Sequence, residues 1–132
     1  MSPARVVAAL LKAAPGFATG WSVFYSNEPD TPDNCVTVFD TGADREDRQM
    51  DGTEVVHPTV QVRVRAADYD AGWAKGEAVQ AVMQAVRNTA VAVGAGTVTV
   101  KAAHRYIPLT FLGRDPNQNR RQLFVVNFKL TL

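Results

Sequence analysis

The sequence predicts an α+β fold in which a mostly antiparallel, mixed sheet of about five strands carries two helices on one face. Three observations predict it. Two segments repeat their apolar residues at helical spacing, and each is preceded by a capping residue. Several short segments alternate apolar and polar residues, as a sheet covered on one side requires. At 132 residues with 46% apolar and 20% charged content, the chain suits one domain, 1–132, with a single two-layer core.

Ser2 and Pro3 open the first helix as N-cap and first-turn proline, and Val6, Val7, Leu10, Leu11 and Ala14 form its stripe. Pro15-Gly16 ends it. Trp21–Tyr25 and Cys35–Phe39 read as strands, and the turn-rich Ser26–Asn34 between them predicts a hairpin. Residues 41–56 offer almost nothing to bury and read as a long inter-strand arm, either a solvated, mobile loop or a segment that orders against a neighbouring subunit or lines a channel. Its charged residues are Asp44, Arg45, Glu46, Asp47, Arg48 and Asp51.

His57–Arg65 places Val60, Val62 and Val64 on a core face and Gln61, Arg63 and Arg65 on a polar one. Asp68 caps the second helix, Asp70 complements its dipole, and Val79, Val82, Met83, Val86 and Ala90 form the stripe, with Arg87 in the last turn. Tyr69 and Trp73, one turn apart, are expected over the sheet end. Thr97–Lys101 is a strand whose phase slips through Ala102-Ala103 into His104–Ile107, predicting a bulge or a bend. Pro108 places the residues after it at a sheet edge or outside the ladder. The last strand, Arg121–Leu132, has Phe124, Val126, Phe128, Leu130 and Leu132 on one face and is expected to be central.

Chemistry is sparse. Cys35 lies in an apolar strand with no adjacent base, which makes it a buried structural thiol rather than a nucleophile. His57 and His104 lack paired metal-ligand spacing, and the glycines form no phosphate loop. The arm carboxylates alternate with arginines, a poor cation site. No catalytic residue, cofactor or metal is expected. A lone cysteine fits synthesis in a reducing cytosol, no apolar run approaches the ~20 residues of a membrane span, and no signal peptide is evident. The formal charge of +1 argues against a dedicated DNA-binding domain, although ten of fourteen basic residues are arginine, the side chain suited to interfaces. Arg63, Arg65, Arg105, Arg114, Arg120 and Arg121 form either a phosphate-contacting surface or, the favoured reading, partners for acids on an adjacent protomer.

The C-terminal half carries a resemblance. Pro58-x-x-Gln61-x-Arg63-x-Arg65, the long helix after Asp68, Tyr106 and Pro108, Leu112-Gly-Arg-Asp115, Arg121 and Asn127-Phe128 together resemble the tail terminator, or tail completion, proteins of tailed bacteriophages. These are the lambda-like terminators often filed as minor capsid proteins. The resemblance implies a structural, non-enzymatic virion protein made in the host cytoplasm and placed at the head–tail interface. Its subunits would close a ring, commonly of six, that stops tube polymerisation and presents a joining surface to the head. Implied partners are further copies, the major tail tube protein and the head connector or head-completion protein. DNA would pass through the lumen without sequence-specific binding, and no membrane is involved. Gln61, Arg63, Arg65, Arg114, Asp115, Arg120 and Arg121 are the candidate interface residues; Gly113 would permit the turn that Arg114 and Asp115 brace. A head-completion or neck protein of the same virion is the alternative, and a small α+β enzyme or binding domain with a pocket beneath the arm is the alternative of another class.

Overall fold

The computed structural model describes residues 2–29, 32–43, 47–48, 50–52, 54–115 and 121–132. Helix α1 spans Pro3–Ala13 and helix α2 spans Tyr69–Gln84. The strands are β1 (Ser22–Tyr25), β2 (Cys35–Ala43), β3 (Asp47–Arg48), β4 (Glu54–Val55), β5 (Pro58–Ala66), β6 (Thr89–Val93), β7 (Gly96–Val100), β8 (Ala102–Arg114) and β9 (Gln122–Thr131). One five-stranded sheet runs β1-β2-β5-β9-β8, and β3-β4 and β6-β7 are separate two-stranded ladders. The α+β class, the two helices and the interior position of β9 are as the periodicities predict.

The caps explain where the helices begin. Ser2 accepts from the Arg5 N–H, and Asp68 accepts from the Ala71 N–H at 3.1 Å. Asp40 adds a long-range cap, accepting from the Ala4 N–H at 2.9 Å and tying α1 to β2. Both helices lie over the face built by cross-strand register. Val62 and Val64 stand opposite Val38 and Val36 on β2, and Val60, Val62 and Val64 stand opposite Phe128, Val126 and Phe124 on β9. All are fully buried, as is Leu11 from α1, while Val79 and Met83 meet them from α2. Each such side chain contributes roughly 1.5–3 kcal/mol relative to exposure. Helix α2 packs so closely that a Cβ on Gly72 would lie 2.4 Å from the Phe124 ring, so only glycine fits there.

Two expectations are corrected and a third is narrowed. β1 and β2 pair in parallel, Ser22 opposite Cys35 and Tyr25 opposite Val38, so the connection is a crossover and not a hairpin turn. Ser26, at φ 65°, turns the chain out of β1, and its N–H donates to the Val38 carbonyl. The segment then travels back along the sheet before β2 starts. Second, α2 ends at Gln84, and Ala90 belongs to a strand instead of its stripe. Arg87 still serves that helix end, its guanidinium donating to the Gln84 and Val86 carbonyls at 2.9 and 2.7 Å. Third, the expected slip falls at a break between β7, which ends at Val100, and β8, which starts at Ala102 in the other sheet, while register shifts within β8 come later, at Arg105/Ile107, Ile107/Thr110 and Phe111/Gly113. Gly113 has φ 116°, a conformation costly for any other residue.

Candidate assembly surfaces

The polar sheet face comes first, because alternation along β5 put three candidate residues there. Gln61, Arg63 and Arg65 do share that face, beside Phe39, Thr37 and Cys35 on β2 and Asn127, Val125 and Leu123 on β9. Their acid partners, however, belong to this same chain. Arg63 donates to Glu28 at 3.0 Å, and Arg65 reaches Glu28 at 3.5 Å and the Pro32 carbonyl at 2.7 Å. Arg121 meets Asp115 at 2.6 Å and Asp33 at 3.8 Å. Asn34 accepts from the Ala67 N–H at 3.0 Å. Thus the arginines strap the β1–β2 crossover to the sheet. Arg65 and Arg121 are buried, whereas Gln61 and Arg63 keep partial exposure and Arg114 is exposed.

Burial has a chemical consequence for Cys35. Desolvation raises its thiol pKa, a rise only partly offset by the nearby Arg65 charge. It remains a protonated structural thiol at neutral pH. Asp115 lies in the same network, its N–H donating to the Arg121 carbonyl at 2.8 Å and closing the base of the β8–β9 connection. Arg120 and the Pro116-Asn117 part of the turn lie outside the described residues.

Three further surfaces face outward. β8 is an outer strand of thirteen residues that carries exposed Tyr106, Ile107, Phe111 and Leu112. Pro108 and the register shifts interrupt it, which blunts its open hydrogen-bonding edge without hiding its apolar side chains. Phe111 joins a cluster in which Tyr69, Trp73 and Phe124 rings lie 5.1–6.4 Å apart, so the outer apolar surface is continuous with the core. Tyr69 and Trp73 therefore sit over the sheet as their spacing predicts.

The second surface is the arm. β2 continues to Ala43 past a register shift at Asp40/Gly42, and β3 pairs β4 through Asp47 opposite Val55 and Arg48 opposite Glu54. Backbone hydrogen bonding builds this ribbon, which is why hydropathy did not reveal it. Met50, in the turn, is fully exposed. Asp44, Arg45 and Glu46 lie outside the described residues; Asp51 lies beside Met50 and is exposed.

The third is an apolar cleft of about 350 Å³ between α1, the end of α2 and β6. It is lined by Leu10 and Ala13, by Val82, Ala85 and Val86, and by Ala90. The periodicities do not reveal it, because Ala90 continues the helical spacing of Val79, Val82, Met83 and Val86 although it lies on β6. The signal was present: Val91 and Val93 alternate, Gly94-Ala95 forms the turn, and Val98 and Val100 continue beyond it. Among the described residues no three His, Cys, Asp or Glu side chains gather as a metal-holding group.

A sheet covered by helices on one face and by the crossover on the other, with an apolar outer strand, a projecting ribbon and a shallow apolar cleft, has the surfaces of a structural subunit. The chain belongs to the bacteriophage tail terminator protein family, whose model matches residues 10–132. It is a structural tail protein of virions. Among solved structures, a chain of the virion of a native gene transfer agent particle shares the fold: TM-score 0.62, 13% identity, 98% of this chain and 93% of that chain covered. A second solved chain, 19% identical over 100% of this chain and 97% of its own, superposes at a TM-score of 0.47, too loosely to argue from. No curated protein matches this chain.

Proposed function

We propose that this protein assembles as a ring, of six subunits as its family resemblance implies, on the head-proximal end of the tail tube. There it stops polymerisation and offers the surface that joins the head. The family match over residues 10–132 carries the reading. The unlike outward surfaces support it, because contact between different patches on neighbours closes a ring by rotation. The other partners would be the tube protein on one ring face and the head connector or head-completion protein on the other. Gln61, Arg63 and Arg114 retain side-chain surface for such contacts, while Arg65, Asp115 and Arg121 shape that surface from behind. The arm around 41–56 supplies contact to a neighbour or to the lumen.

A virion lacking the protein tests this. Tubes should still initiate but grow overlong or fail to join filled heads, as seen by electron microscopy. Purified protein should restore joining with no added nucleotide or metal. Normal-length tails that join heads would defeat the proposal, and leaky filled heads beside normal tails would favour the head-completion role.

A further inference from the structure

The solvent faces of the two helices carry opposite charge. On α1 the exposed charged residues are Arg5 and Lys12, seven positions apart, and that helix holds no acid. On α2 they are Asp70 and Glu77, also seven positions apart, while the one cation of that helix, Lys75, is buried against Phe17 and Trp21. Seven residues make nearly two turns, so each pair lies on one face with its members about 10 Å apart along the axis. These charges are not paired within the subunit. Among the described residues neither Arg5 nor Lys12 forms a salt bridge; Arg5 lies 6.0 Å from the Tyr25 ring centroid, and Lys12 borders a shallow hollow beside Tyr25 and Asn27. Among the same residues Asp70 has no side-chain partner, and Glu77 accepts from the Trp73 indole at 2.8 Å. Arg105 approaches α2 from β8, but it donates to Gln80 and bridges neither acid.

Between and beyond the charges both faces carry alanine. Ala9 and Ala13 follow Arg5 at helical spacing, and Ala74 and Ala81 do the same after Asp70. Such short side chains let two helices approach at the near end of the usual separation of roughly 8–10 Å. Opposite charges set at the same interval then meet in register. We infer that the exposed face of α1 in one copy packs on the exposed face of α2 in a second copy, Arg5 and Lys12 against Asp70 and Glu77. A face of one sign selects the opposite face and rejects its own kind, so contacts of α1 with α1 or of α2 with α2 are disfavoured. The contact joins unlike patches, so it passes from subunit to subunit and suits ring closure. It rests on the ring proposed above and names the contact between its members.

The test uses the full-length protein, with self-association read by sedimentation and ring assembly by complementation of the virion that lacks it. Arg5→Glu with Lys12→Glu places like charges across the contact and should weaken self-association at least about tenfold. Asp70→Lys with Glu77→Lys should do the same. Equimolar mixing of the two double variants should restore association, because alternating copies pair opposite faces and close an even-numbered ring. The quadruple variant should restore it as well. Raising the salt concentration should weaken the wild-type contact, since these charges are exposed. Circular dichroism checks that each variant folds. Double variants that assemble as the wild type does overturn this contact, and so does a loss that neither the mixture nor the quadruple variant reverses. Either result, with wild-type rings present, leaves the ring reading standing. Wild-type protein found as single copies both in solution and in particles overturns both.

Discussion

The two faces of the five-stranded sheet are both largely covered, but by different physics. On the helix face, valines and phenylalanines from three adjacent strands meet α1 and α2 with almost no exposure. On the opposite face, Arg63, Arg65 and Arg121 hold an irregular crossover by ion pairs and carbonyl contacts. Apolar contact is non-directional, and its strength scales with area. A guanidinium must find specific acceptors, so the polar face dictates where one segment runs. An arginine-rich sheet face need not be an open interface; here it is first an internal clamp.

Substitutions can break this comparison. The largest loss is expected for Phe124→Ala, because Phe124 is fully buried and packs against Tyr69, Trp73 and Phe111. Denaturant unfolding should show a loss near the top of the roughly 3–5 kcal/mol range for such truncations. Arg121→Met comes next, at about 3 kcal/mol, because it leaves the buried Asp115 carboxylate without its 2.6 Å partner. Adding Asp115→Leu to that variant should recover part of the loss. A double variant whose loss equals the sum of the two single losses would mean that the polar face is not a clamp of coupled charges.

Lys75 sharpens the comparison from within the apolar layer. Its ammonium donates to the Phe17 carbonyl and lies 3.9 Å from the Phe17 ring centroid and 5.3 Å from that of Trp21. Burial lowers its pKa, so the unfolded chain binds the proton more tightly than the folded one. The resulting penalty is full below the folded-state pKa. It disappears as pH rises to the ordinary lysine value of 10.5, so this group makes stability rise with pH across that window. Lys75→Met should change stability by less than about 1.5 kcal/mol at neutral pH and flatten that alkaline slope in thermal unfolding. The smallest effect belongs to Cys35. At neutral pH it should resist alkylation in the folded protein and react once denaturant unfolds the chain, as mass spectrometry would show.

The sequence by itself determined the elements whose causes are local. Ser2-Pro3 and Asp68 start helices because side-chain and ring chemistry act within one turn, and strict alternation from Val60 to Val64 assigns faces because strand geometry has period two. Pro108 confined the residues after it to a sheet edge or to the outside of the ladder, since a residue without an N–H fits poorly inside one, and the fold has it on the outer strand. The residues of the C-terminal half also sufficed to identify the family. Tertiary structure decided what depends on distant partners. Periodicity says which face a residue takes, never which neighbour its strand pairs or in which direction. The parallel pairing of β1 with β2 goes with anchors far along the chain, where Arg65 and Arg121 hold Pro32 and Asp33 of the crossover. The same limit hid the cleft, whose walls come from three elements that meet only when the helices settle on the sheet.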